Sequence, residues 1–188
     1  ISITSDSNTV CGLVISGFSA YGVAVFGAGA DSNWIWGNYI GTDATGKDTL
    51  GNRIGVLLYD GGGGNLIGGD LPAHRNLISA NLNDAIHIDA SDSNRVIGNL
   101  IGTDVTGSNA LGNKMRGVGI IGSGSANNLI GGAQPGARNI ISANGTVANP
   151  YSGVGIEGDN NVVQGNFIGT DITGTLPLGN KAHGVTIQ

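Results

Sequence analysis

Ile40-Gly41-Thr42-Asp43 returns as Ile101-Gly102-Thr103-Asp104 and again as Ile168-Gly169-Thr170-Asp171. Each copy is followed at constant spacing by Thr-Gly and then Leu-Gly-Asn, the endings being Leu50-Gly51-Asn52, Leu111-Gly112-Asn113 and Leu178-Gly179-Asn180. Between these copies lies a second pair. Gly68-Gly69 runs through Pro72 to Arg75-Asn76, and Gly131-Gly132 through Pro135 to Arg138-Asn139; they lead into Ile78-Ser79-Ala80-Asn81 and Ile141-Ser142-Ala143-Asn144. Two unit types therefore alternate, and self-similarity at a fixed period is the sequence signature of a solenoid.

Working outward, the units open at Asn8, Asn33, Asn65, Asn94, Asn128 and Asn161. Each carries three short apolar alternations with the period of two expected of strands. The first is Thr9-Val10-Cys11, Trp34-Ile35-Trp36 and their counterparts. The second is centred on Val14, Ile40, Ile78, Ile101, Ile141 and Ile168. The third is the Gly-Val-x-Ile type, such as Gly117-Val118-Gly119-Ile120. Strands this short cannot bury a face alone, but six stacked units can. The predicted fold is all-β: a right-handed parallel β-helix of about six coils with three short strands each. At ~4.8 Å per coil it is a rod of roughly 30 Å. Val10, Ile35, Ile67, Val96, Ile130 and Val163 are expected to stack as one inward column. A propeller would read the double unit as a blade, and three blades do not close a ring. Residues 1–188 read as a single β-helix domain, a segment of a longer β-helical protein, because no capping helix is visible at either end and an open end invites edge pairing or end-to-end self-association.

Composition agrees. There are 36 glycines in 188 residues, but 39% apolar residues is too much for a disordered linker, and the glycines follow no collagen period. A net charge of -5 without any basic run argues against nucleic acid as a partner. Ser7 to Ala30 is uncharged, yet its five glycines and polar residues speak against a membrane span. Cys11 is the single cysteine, which leaves no internal disulfide and no Cys-based zinc site.

Asn38, Asn76, Asn99, Asn139 and Asn166 fall at one point of the coil, just before the second strand. Stacked amides there can each donate to the next, so a buried corner stays satisfied. The unit-opening asparagines make a second such ladder. The recurrent Gly-Asn-x-Ile-Gly-Thr-Asp-x-Thr-Gly, with Leu-Gly-Asn and Gly-Val-x-Ile downstream, resembles the right-handed β-helix repeat family within the pectate-lyase-like superfold. Such repeats occur in large bacterial extracellular and surface proteins. The resemblance covers the whole chain and implies an extracellular or cell-surface scaffold, adhesin-like, with polysaccharide as its partner. It identifies a fold more than an activity. The alternative it implies is a polysaccharide lyase or glycoside hydrolase with its site near the column of Asp43, Asp104 and Asp171, yet the Gly-His-Gly and Arg-Ile-Lys signatures of that superfold's enzymes do not occur, and no catalytic residue is assigned.

Candidate site residues are few. Asp43, Asp104 and Asp171, with Asn81 and Asn144 between them, form an expected column at the end of the second strand. Its carboxylates, two strand spacings or about 9.6 Å apart, are too distant for two to share one calcium at roughly 2.3–2.6 Å. Calcium is nevertheless the one cofactor this column suggests, against the simpler reading that each Asp caps its own loop. Trp34 and Trp36 should both point outward from the first strand, either as a sugar-stacking platform or beneath the loop Asp70 to Arg75. Tyr59, His87 and Asp89 fall on the outward face of the third strand and are the other ligand-binding candidates. Arg75 and Arg138, alike in the two second-type loops, either grip a polyanionic sugar or, as the simpler reading expects, tie those loops to neighbouring carbonyls.

Overall fold

The computed structural model describes residues 1–122 and 124–188. Its strands form three sheets, all parallel, in a right-handed β-helix of six coils. One sheet of six holds the first strands, from Thr9–Cys11 to Val162–Gln164, and another of six holds the second strands, from Val14–Ile15 to Phe167–Ile168. The third sheet has seven strands, because Ser2–Ile3 pairs with Tyr21–Phe26 ahead of the first coil. Single 3-10 turns at Pro72–His74 and Pro135–Ala137 are the only helix among the described residues. No helix is long and apolar enough to cross a membrane.

Register follows the sequence columns. Val23, Val56, Ile86, Val118, Val154 and Val185 pair in succession. All but the last are fully buried in one continuous core. β-branched residues suit this because they pack well on a pleated, buried surface. The first coil is shifted by one position from the expectation. Ile15, not Val14, stands over Ile40; Val14 pairs with Tyr39, faces outward and is 49% exposed. A one-residue slip exchanges the two faces of a strand, so Ile15 supplies the inward side chain.

Each corner of the coil carries an asparagine ladder. The two predicted ladders are present. Asn38 donates from its backbone N and its Nδ2 to Asn76 Oδ1, and Asn76, Asn99 and Asn139 repeat the pattern to Asn166. Every Nδ2 also reaches a strand carbonyl of the coil before, as Asn99 does to Ile67 at 2.9 Å. The unit-opening asparagines from Asn8 to Asn161 form the second ladder, each Nδ2 donating to the next Oδ1. A third ladder, between the second and third strands, was not expected: Asn52, Asn81, Asn113, Asn144 and Asn180.

That third ladder corrects the proposed Asp column. Asn81 and Asn144 do not alternate with the aspartates; they stack with the Asn of each Leu-Gly-Asn. In the other coils the chain bulges out between the paired Thr42 and Thr49, Thr103 and Ala110, or Thr170 and Pro177, then rejoins the corner. These excursions stack on one another, Val105 N donating to Gly46 O at 3.0 Å and Ile172 N to Gly107 O at 2.9 Å. They press Val105 and Ile172 onto a small outer core of Leu77, Leu100 and Ile140, with Tyr39 and Phe167 at its edge.

Candidate functional site

Alternation along the third strands fixes the chemistry of their outer face. With Val23 and Val25 inward, the outward rows are Ala24, Leu57, His87, Gly119, Gly155 and Thr186, and beside them Phe26, Tyr59, Asp89 and Ile121. At the N-terminal end the row is aromatic. Tyr21 and Phe26 meet edge to face at 5.9 Å, and Phe26 and Tyr59 at 6.4 Å, both arrangements that the ring quadrupole favours. Together with Ile54, Leu57, His87 and Asp89 these rings line an open cavity of about 220 Å³. Tyr59, His87 and Asp89 are thus brought into one place.

His87 is held from behind. Its Nδ1 lies 2.8 Å from Asp84 Oδ2, and Asp84 Oδ1 accepts the backbone N–H of Arg116 at 2.8 Å. Asp84 is almost wholly buried, 3% exposed. A carboxylate partner requires the proton on Nδ1, which leaves Nε2 as the free ring nitrogen. Sequence reasoning missed Asp84 and Arg116 because both lie in the corner before a strand; the signal was the carboxylate three positions ahead of His87. A histidine oriented by a buried carboxylate can hold or transfer a proton. A working centre needs further groups around the reacting atoms, and among the described residues the cavity adds Asp89 alone as another titratable group besides its tyrosines.

Trp34 and Trp36 lie on a different sheet, and the loop from Asp70 to Arg75 roofs them. His74, ending the turn Pro72–His74, sets its ring edge-on to Trp34 at 4.9 Å and to Trp36 at 5.0 Å. Trp34 Nε1 donates to Gly68 O at 2.7 Å, and both indoles are half-buried. Cys11 pairs with Trp36 in register and is half-buried too. The roof is tied as expected: Arg75 Nε donates to Gly98 O and Arg138 Nε to Gly165 O, each at 3.0 Å. Burial lowers the pKa of the Arg75 guanidinium. The Arg138 guanidinium also lies 4.0 Å over the Phe167 ring.

Asp43, Asp104 and Asp171 each cap their own excursion. Asp104 Oδ1 accepts from the Thr106 hydroxyl and from the backbone N–H of Thr106, Ser108 and Asn109, while Oδ2 accepts the Asn109 amide at 2.9 Å. Burial works against the Asp104 charge, but these donors outweigh it and hold its carboxyl below the usual range. Asp171 balances burial against Thr173, Leu176 and Thr175 in the same way, with the same result. At Asp43 the Thr45 hydroxyl leads and the carboxyl is again lowered. No group of three or more His, Cys, Asp or Glu placed to share an ion occurs among the described residues.

No protein-family model, no curated protein and no solved structure matches the chain.

Proposed function

We propose that the chain is a non-catalytic, adhesin-like β-helical scaffold of an extracellular or cell-surface protein, and that it binds carbohydrate on the outer face of its third sheet. The observation that carries this reading is the file Tyr21, Phe26 and Tyr59, open to solvent beside His87 and Asp89. Sugar rings have an apolar face and a polar rim, so edge-on aromatics next to fixed hydrogen-bonding groups suit them. A rod whose corners are laddered by amides presents such a file with little ordering cost on binding. The repeat resembles that of the pectate-lyase-like superfold, and the extracellular setting follows from that resemblance. The second reading, a polysaccharide lyase or hydrolase, draws on the Asp84–His87 couple rather than on the aspartate column.

A panel of neutral and acidic oligosaccharides immobilised on a surface tests both. Wild type is expected to retain some of them and Tyr59→Ala to lose at least tenfold in affinity with an unchanged circular dichroism spectrum. No retention of any glycan removes the binding reading. Release of shortened or unsaturated products by wild type, abolished in His87→Ala, transfers the assignment to the enzymatic one.

A further inference from the structure

The C-terminal half of the same outer face carries a second cavity, of about 250 Å³, lined by Arg116, Tyr151, Ser152, Glu157, His183 and Thr186 among others. Its floor is shaped by two glycines of the outward row. A Cβ on Gly155 would come within 2.9 Å of Arg116 Nε and 3.0 Å of its Cδ, and one on Gly119 within 3.2 Å of that Cδ. Arg116 therefore lies flat across the sheet in a lane that only glycine leaves free. Its guanidinium stands 5.1 Å over the Tyr151 ring, and its NH1 is 3.8 Å from Asp84 Oδ2, beyond hydrogen-bonding distance. Both Asp84 oxygens are already taken, by His87 and by the Arg116 backbone N–H. Among the described residues no acceptor lies within hydrogen-bonding distance of the guanidinium, although the side chain is only 25% exposed. Next to it Ser152 and Thr186 share a hydroxyl–hydroxyl hydrogen bond at 2.6 Å, which leaves one more hydroxyl proton to donate.

A planar, half-buried guanidinium stacked on a tyrosine, held by a long ion pair to Asp84 but with no hydrogen bond to its N–H fork among the described residues, is complementary to a second carboxylate. We propose that this cavity is a second binding site, separate from the aromatic file, and that it takes a carboxylate-bearing ligand through Arg116. The ligand carboxylate meets the guanidinium fork over Gly155, Tyr151 backs the cation, and the Ser152–Thr186 pair supplies a further donor. Glu157, exposed at the rim, opposes the anion and tempers the affinity.

Titration of the whole chain with glucuronate, glucose and succinate, read by calorimetry, tests the site. Glucuronate is expected to bind at least tenfold more tightly than glucose, more weakly as salt rises, and two- to threefold more tightly to Glu157→Gln. Arg116→Gln should lose at least tenfold, and Arg53→Gln, an exposed cation outside both cavities, should bind glucuronate like wild type. Succinate binding as well as glucuronate identifies the carboxylate as sufficient; succinate failing where glucuronate binds shows that the sugar is needed too, and either result supports the site. Equal binding of glucuronate and glucose, no binding of either acid, or an Arg116→Gln protein that binds as wild type overturns it. Should Arg116→Gln fail to fold, Gly155→Val, which pushes the guanidinium out of its lane, takes its place with the same expected loss. Failure here with Tyr59-dependent glycan retention intact leaves the aromatic site standing, so the two are told apart.

Discussion

Replacing Asn99 by Ala removes one rung from the middle of a buried ladder. Asn99 is fully buried, and its Nδ2 donates to Ile67 O at 2.9 Å, to Ile97 O at 3.0 Å and to Asn139 Oδ1 at 3.1 Å. Its Oδ1 accepts both the backbone N–H of Asn76 at 3.2 Å and the Asn76 Nδ2 at 2.9 Å. After truncation Asn76 Nδ2 keeps Ile35 O and Asn139 Oδ1 keeps the Asn99 backbone N–H, but the Asn76 backbone N–H is orphaned in the core. One stranded buried donor costs about 1–3 kcal/mol and each lost net hydrogen bond about 1 kcal/mol. The expected loss is therefore about 3–5 kcal/mol. For a chain of this size that is between about 6 and 20 °C in Tm. Asn8→Ala is the control: Asn8 is exposed at the ladder's end and, among the described residues, no side chain donates to its amide oxygen, so its loss should stay at ~1 kcal/mol or below. Urea denaturation followed by circular dichroism measures both, with an unchanged m-value showing that the same cooperative unit is being compared. An Asn99→Ala protein no less stable than Asn8→Ala would refute the idea that the amide columns hold the corners together.

Ile86→Ala, in the fully buried row of the third sheet, should cost about 2–5 kcal/mol by the same assay. Two glycines with nearly the same φ separate backbone strain from collision: Gly27→Ala, φ +88 with nothing within 4 Å of the new Cβ, should lose about 1–2 kcal/mol. Gly131→Ala, φ +89 with its new Cβ driven into the Gln164 carbonyl oxygen, should fail to accumulate as folded protein. The lowered carboxyls of Asp104 and Asp171 add stability that is complete above the unfolded-state value near pH 4 and disappears as the pH falls toward the folded one. Asp104→Asn should accordingly narrow the difference between Tm at pH 7 and at pH 3. Because the three loop carboxylates already accept from their own loops, millimolar calcium is expected to leave Tm unchanged; a rise of several degrees would restore the calcium reading.

The strands and two ladders could be read from the sequence because each contributes one residue type at one point of every coil. Ile35, Val96 and Ile130 leave no choice of face once the period of two is seen. The third ladder was hidden by an insertion. Ile-Gly-Thr-Asp aligns residue for residue with Ile-Ser-Ala-Asn, which sets Asp43 beside Asn81, whereas the chain places Asn52 there after a detour of several residues. Residue-by-residue alignment assumes equal path length, and the hydrogen bond that decides the matter joins residues 29 apart. The candidate site was half visible. Tyr59, His87 and Asp89 share a face by alternation alone. Asp84 and Arg116 reach that face from corners, and there the sequence has no periodicity to show where a side chain points. The gap that Gly119 leaves in the outward row is the space that Arg116 fills.

The stacking of excursions on every second coil has a consequence for how such a rod can change length. Val105 rests on Gly46 and Ile172 on Gly107, each reaching across an intervening coil that has no excursion of its own. Removing one coil would set two bulging coils against each other, or leave two plain ones adjacent and the outer row of Leu77, Leu100 and Ile140 bare. Removing two preserves every contact type at the seam. The molecule thus has a parity: it can grow or shrink in pairs of coils, and its smallest exchangeable part is the double unit, 61 residues from Ile40 to Ile101 or 67 from Ile101 to Ile168.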